Sequence, residues 1–518
     1  MSLENRILLA SLLSSIVVVG YLQVSSPKRT IIQHTQVQQV IQEKPTDFEK
    51  LTSEFSAGGS YHEERQIFIE SDMLRLGIGT KSAAIHSVTL KQYADLATGQ
   101  ALQVGNAFPT SFFRAHNQSL QWVLERAELA RAVFQGHEGQ QEDARQLEIW
   151  LDETLPVVHI RFSLSNPHGQ PQKYPLELLA SWRRLDDVAG RYNMLETTLK
   201  TQKSSSLERL YLRYHEGIRN PIRVPRGTLL ATLSERYFCQ SIKPEPSNMP
   251  MAEILPSGRG TAAIRTQVTV QADAQQGASS QWAMYMGSRN FSTMKDAGFA
   301  EAFPTGIMTH FGIALSLVIT WIASITKNYG VAIISLAALV TILLSPMTLL
   351  GLRSMKKMQE LQPRLDQIKK KHEKEPHKVQ QEMMALFREH RVSPFSGCLT
   401  ILLQFPIFFA LWSAVSHMTE LRGQPFLWIK DLSLPDRLAT LPFGLDLNLL
   451  PILTAGAMFV QTKLSQPKTP ATPGMAMFSG PLMSIVFGVM FYTVPSGLVL
   501  YWFSSSVLSV AVYKYAHA

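Results

Sequence analysis

Two patterns divide the chain. Between residue 66 and about residue 289 apolar and polar residues alternate one by one in short stretches, and beyond about residue 306 long apolar runs are separated by charged or polar connections. A period of two is the mark of a half-buried strand, whereas an unbroken apolar run of about 18 residues or more marks a membrane helix. Val158, Ile160, Phe162 and Leu164 alternate with His159, Arg161 and Ser163; Ile264, Val268 and Val270 alternate with Arg265, Gln267, Thr269 and Gln271. Residues 73–78, 228–233 and 281–286 read as further strands. Many strands broken by turn residues, with few helical periods, predict an antiparallel sandwich over residues 65–295.

The apolar runs predict helices. Residues 7–22 form a run of about 24 Å as a helix, short for a span and at the upper limit of a signal-peptide core. No small-x-small site follows it cleanly, so residues 1–23 read as an uncleaved anchor. The polar, Gln-rich residues 24–64 read as a linker. Later come 308–325, 330–352, 398–418 and 447–462, and then residues 469–513, which carry no formal charge and suffice for two spans around the turn Pro495-Ser496-Gly497.

Between the runs 330–352 and 398–418, which lack Asp, Glu, Lys and Arg, lies a charged stretch, Arg353 to Arg391, with eleven Lys or Arg against six Asp or Glu. Short loops rich in Lys and Arg stay on the cytoplasmic side, so this loop fixes the topology. If the anchor leaves the cytoplasm and both 308–325 and 330–352 cross, the loop falls outside; one of the two must not cross. The first is the better candidate, since Phe311, Leu315, Val318, Ile322 and Ile325 share one helical face and Ser316, Thr320, Ser324 and Lys327 another. Residues 306–327 are therefore expected to be an interfacial amphipathic helix. A true span with its hydroxyl stripe packed on a neighbour is the alternative, and would require the anchor to be cleaved or reversed. Within the loop, Met355, Met358, Leu361, Leu365 and Ile368, then Val379, Met383 and Leu386, predict two helices in an antiparallel hairpin over 353–392. Pro363 should kink or restart the first helix, and Glu375-Pro376 should mark the turn.

Composition adds limits. At 518 residues, 45% hydrophobic and 17% charged, the chain is too long for one domain and too mixed to lie wholly in a membrane. Its net charge of +9 sits largely beside the spans, where it faces anionic lipid, and no recognition-helix or zinc pattern accompanies it; no direct sequence-specific nucleic-acid partner is expected. Cys239 and Cys398 fall in different parts and are not expected to pair. His372 and His377 stand five apart with Pro376 between them, which breaks the helix a zinc-protease motif needs. Ser496 has no His or Lys in the runs 330–352, 447–462 and 469–513 to act as base, and no Walker-type loop occurs. No cofactor, metal or catalytic residue is expected.

The motifs Gln380-Gln381-Glu382-Met383-Met384-Ala385-Leu386-Phe387, Val392-Ser393-Pro394-Phe395-Ser396-Gly397-Cys398, Gln404-Phe405-Pro406-Ile407-Phe408 and Pro495-Ser496-Gly497-Leu498-Val499-Leu500-Tyr501-Trp502 resemble, in order and spacing, those of the YidC/Oxa/Alb family of membrane protein insertases. The resemblance implies a polytopic α-helical membrane protein, an N-terminal anchor plus a five-helix core over 330–518, with an inserted all-β periplasmic supersandwich. It implies the bacterial inner membrane, both termini cytoplasmic, with nascent membrane proteins, the bilayer, the Sec translocon and the ribosome as partners. It also implies a polar groove that takes the hydrophilic flank of a client protein. The family usually carries an arginine five residues before the proline matching Pro346; here that position is Thr341. The expected groove is therefore neutral, lined by Thr341, Gln404, Ser504, Ser505 and Ser506, with client contacts at Phe405, Phe408, Tyr501 and Trp502. Recruitment falls to the hairpin, through Arg353, Lys356, Lys357, Met383, Met384 and Arg388. The other reading is a membrane-anchored sugar-binding or carbohydrate-active protein, since supersandwich domains also occur in sugar mutarotases and lyases. No carboxylate and His constellation stands out among the strands, and deleting most of residues 66–289 separates the two readings.

Overall fold

The computed structural model describes residues 64–518 except 97, 105–110, 113–120, 138–144, 166–171, 184–195, 204–205, 214–221, 225–226, 245–250, 258–260, 273–277, 304–306, 373–374, 391–395, 441–445, 466–479 and 518. The expected anchor at 1–23, and the linker apart from Glu64, lie outside the described residues. The chain divides into two compact units, with the boundary along the sequence between residues 304 and 305.

The N-terminal unit is β-rich. A nine-stranded antiparallel sheet contains the hairpin series Gln121–Ala127, Arg131–His137, Arg145–Leu151 and Val157–Leu164, continued through Ala278–Ser288 to Phe238–Pro244, Thr228–Ser234, Glu196–Lys203 and Ser206–Arg213. The alternation read from the sequence fixes its faces: Val158, Ile160, Phe162 and Leu164 are at most 3% exposed, while His159, Arg161 and Ser163 point the other way. A five-stranded sheet built on Gln172–Arg183 and Thr261–Ala272 meets the first where Thr261–Ala272 and Met251–Ser257 pack on Thr228–Ser234. Two sheets so placed bury their inner side chains against each other as in a sandwich. Trp182, Trp282, Tyr237, Tyr285 and Phe238 are the large side chains of this interior. A four-stranded meander, residues 66–104, completes the unit.

Asn290 caps the short helix α1 (Phe291–Asp296) by accepting from the amides of Ser292 and Thr293. Lys200, 3% exposed, is neutralised by Glu301. Cys239 is fully buried, and burial pushes its thiol up to about 12, so it is inert at neutral pH.

The second unit is helical. It contains α2 (Ile307–Thr326), α3 (Tyr329–Glu360), α4 (Gln362–Lys371), α5 (Pro376–Glu389), α6 (Ser396–His417), α7 (Leu449–Ser465), α8 (Gly480–Phe491) and α9 (Ser496–His517). Among the described residues three helical segments are long and apolar enough to cross a membrane: Thr309–Thr326, Tyr329–Leu350 and Ser496–Lys514. Ile342, Leu343 and Leu350 on α3 and Ile485 and Val489 on α8 are more than 60% exposed, a surface suited to lipid and not to water. α3 packs on α2, α6 and α9, and α7 packs on α8 and α9.

Three features depart from the expected helices. The buried positions of α2 are Gly312, Ile319 and Ala323, with Leu315, Val318 and Ile322 beside them, whereas Phe311 and Ile325 are 59% and 64% exposed. The reason is close approach: a Cβ on Gly312 would lie 3.0 Å from the carbonyl oxygen of Ala410, so small residues and not the bulkiest ones mark the contact with α6. Second, α3 runs on through Arg353, Lys356 and Lys357 to Glu360, because nothing between Leu352 and Glu360 breaks it; the hairpin helix proper restarts at Gln362 with Pro363 in its first turn. Third, the turn falls at residues 492–495, and Ser496 and Gly497, expected within it, open α9, where a Cβ on Gly497 would lie 3.0 Å from the carbonyl oxygen of Leu432.

Candidate functional site: a polar track across three helices

Thr341 lies twelve residues into α3 and half-buried, its Oγ1 3.5 Å from the hydroxyl of Ser505 on α9. One turn back on the same face of α9 is Tyr501, which is 1% exposed. The Tyr501 hydroxyl is buried without a hydrogen-bond partner among the described residues, and the side chain of Gln404 on α6 lies beside it. Thr341, Ser505, Tyr501 and Gln404 thus line up as an uncharged polar track contributed by α3, α9 and α6.

The serine run divides at this point. Successive helix positions are about 100° apart, so three adjacent serines cannot face one track. Ser505 meets Thr341, while Ser504, 8% exposed, donates to the carbonyl of Leu500 at 2.7 Å, and Ser506 is 3% exposed.

The aromatic residues beside the track are less accessible than a client-contact role suggests. Phe408 and Trp502 meet edge to face at 5.3 Å between centroids and join Phe487 and Phe491 of α8 in one cluster. Aromatic pairs of this kind contribute about 0.5–1.5 kcal/mol beyond their area. Phe405 is 45% exposed and stacks on Phe409 at 6.3 Å. Of Phe405, Phe408, Tyr501 and Trp502, then, Phe405 is exposed and the others hold helices together. Phe487 and Phe491 escaped notice in the sequence; their spacing of four places both on one helix face, which is the signal that could have found them.

In the charged hairpin, Leu361, Leu365, Leu386 and Phe387 form the core between α4 and α5. Met383 and Met384 pack against that core, half-buried, instead of forming an open apolar surface. His372 Nε2 lies 3.1 Å from Glu382 Oε1 and Arg364 Nη1 lies 3.2 Å from His390 Nε2, two polar links across the hairpin. Lys357 and Arg388 are exposed. Arg353 and Lys356 lie on the last turns of α3. Among the described residues no group of three or more His, Cys, Asp or Glu is placed to hold a metal ion.

A β-rich unit and a unit of apolar helices, with three helical segments among the described residues long and apolar enough to cross a membrane, define a membrane protein with a β-rich domain. Residues 321–517 match the family model described as "60Kd inner membrane protein". Similar proteins are the membrane protein insertases YidC of Syntrophobacter fumaroxidans, 40% identical over 44% of this chain and 42% of the relative, and of Cupriavidus taiwanensis, 44% identical over 36% and 31%. The chain thus spans less than half the length of these curated relatives in the matched stretch. The structure titled "Active YidC insertase crystal structure with the first transmembrane domain resolved" is similar over 88% of this chain and 93% of that one, at 19% identity and a TM-score of 0.39. The superposition is loose, and the assignment rests on the sequence matches. The resemblance read from the motifs is borne out by these matches, which fall on residues 321–517 for the family model.

Proposed function

We propose that the chain is an energy-independent membrane protein insertase and chaperone of the bacterial inner membrane, acting alone or with the Sec translocon on nascent membrane proteins delivered by the ribosome. The observation that carries this reading is the track Thr341–Ser505–Tyr501–Gln404 inside an otherwise apolar bundle. A charged residue at the centre of a span costs about 2.5–3.5 kcal/mol on insertion scales, so uncharged hydrogen-bonding groups that guide a client's polar flank shorten the unfavourable path. Burial of the client's own apolar helix, at about 25 cal/mol per Å², then drives the step without a nucleotide.

In this reading the hairpin α4–α5 is cytoplasmic, the β unit is periplasmic, α2 lies along the outer surface, and α3, α6, α7, α8 and α9 are the five core helices. Site-specific photocrosslinkers at residues 341, 404 and 501 tests the track: a stalled nascent membrane protein should crosslink to at least one. No crosslink at any of the three while insertion proceeds would sink the proposal.

Recruitment belongs to the hairpin's charges and not to its methionines, since Met383 and Met384 are engaged in its core. Neutralising Lys357 and Arg388 together to glutamine should weaken capture of ribosome-bound clients several-fold at low salt, with the difference shrinking as salt rises. Unchanged capture at low salt would count against a charge-based role.

A further inference from the structure

Residues 419–448, which join α6 to α7, hold a buried carboxylate that the track does not use. Asp436 is 3% exposed. Its Oδ2 accepts from the indole of Trp428 at 3.3 Å and from the amide of Leu450, in the first turn of α7, at 2.7 Å. Its Oδ1 is buried without a hydrogen-bond partner among the described residues. A buried carboxylate that leaves one oxygen unsatisfied is costly, and covering apolar surface alone does not require it.

The same loop fastens two more helices. The side chain of Asn448 donates to the carbonyl of Tyr492, just past α8, at 2.6 Å. At the start of α9 the amides of Ser496 and Gly497 donate to the carbonyls of Leu434 and Leu432, each at 2.8 Å. Leu432 itself is fully buried in the helical core, and Phe426 lies directly on Gly330 at the start of α3. The loop therefore sits at one end of the bundle, while the charged hairpin follows Glu360 at the other end of α3, about 45 Å away along that helix.

We propose that Asp436 is a positioning residue: it holds the first turn of α7 to Trp428, and so latches α7, α8 and α9 together at the loop end, leaving the polar track free to part only toward the hairpin. Its consequence for client entry rests on the insertase reading; the latch itself does not. The buried state of Tyr501 fits this arrangement, since a client can reach its hydroxyl only after the helices separate at the hairpin end.

The test uses the full chain in membranes, with Leu498→Cys as a reporter at the loop end of α9 and a membrane-impermeant maleimide as probe, read against the chain without that cysteine. Asp436→Ala removes both acceptors and should speed labelling by about tenfold to a hundredfold, the factor attached to losing a hydrogen bond to a charged group. Asp436→Asn keeps one carbonyl oxygen for the Trp428 and Leu450 donors and should label close to the parent. If Asp436→Ala fails to accumulate, Trp428→Phe deletes the indole donor alone and should give an intermediate rise. Labelling at the parental rate in whichever of the two accumulates overturns the latch, as does Asp436→Asn labelling as fast as Asp436→Ala. A parent chain that inserts no client while Asp436→Ala still labels faster defeats the insertase reading and leaves the latch standing.

Discussion

Replacing Trp282 by alanine is expected to destabilise the β-rich unit by about 3–5 kcal/mol, the range for deleting a buried aromatic side chain, and to leave client insertion nearly unchanged. Trp282 is 1% exposed and lies opposite Ile160 on one neighbouring strand and Pro244 on the other, in the middle of the nine-stranded sheet. No smaller side chain fills that space, and interior packing relaxes only partly around a void. The polar track belongs wholly to the helical unit, whose core is a separate cluster. Limited proteolysis of the full chain across a temperature series, run beside an insertion assay, checks both halves. Insertion that falls in step with cleavage of the β unit, while the helices stay protected, would show that the β unit takes part in client handling.

The strands were legible because each carries its own evidence: the alternation of Val158 through Leu164 states which side chains face inward without reference to any other part of the chain. The restart at Pro363, the start of α5 at Pro376 and the turn before α9 were legible for the same reason, since proline acts on its own backbone. The contact face of α2 was not. α2 exposes Phe311, Leu317, Trp321 and Ile325 while it buries Ile319, so hydrophobic period loses its sign, and Gly312 and Ala323 carry the packing information instead.

Site residues follow the same division. Thr341 and Ser505 are 164 positions apart, and only the packing of α3 on α9 brings them together. Ser504 carries the same hydroxyl one residue away, and its rotation about α9 alone removes it from the track. Asp436 and the bonds from residues 419–448 to 492–497 left no local pattern to read. The aromatic cluster had one, the four-residue spacing of Phe487 and Phe491, yet its partners Phe408 and Trp502 come from two other helices.

The substitution with the sharpest expected effect on activity is at Thr341. Arginine there should speed insertion of a client with an acidic flank about tenfold, and aspartate should slow it by a similar factor. Two unit charges 4 Å apart at an effective dielectric of 20 interact by about 4 kcal/mol, and solvent screening of the client's flank reduces that toward the 1.4 kcal/mol that is a factor of ten. Both substitutions also place a charge in the membrane and displace the Thr341–Ser505 contact, so both carry a desolvation cost of about 2.5–3.5 kcal/mol. Arginine can lessen its share by extending its long side chain along the track toward the hairpin end. A client pair differing only in its flank, acidic in one and asparagine-substituted in the other, removes this common cost from the comparison. An electrostatic track gives opposite signs for the two variants with the acidic client and a much smaller difference with the neutral one. If both variants slow both clients alike, the neutral character of Thr341 serves packing alone, and charge in the membrane has no part in how this chain selects its clients.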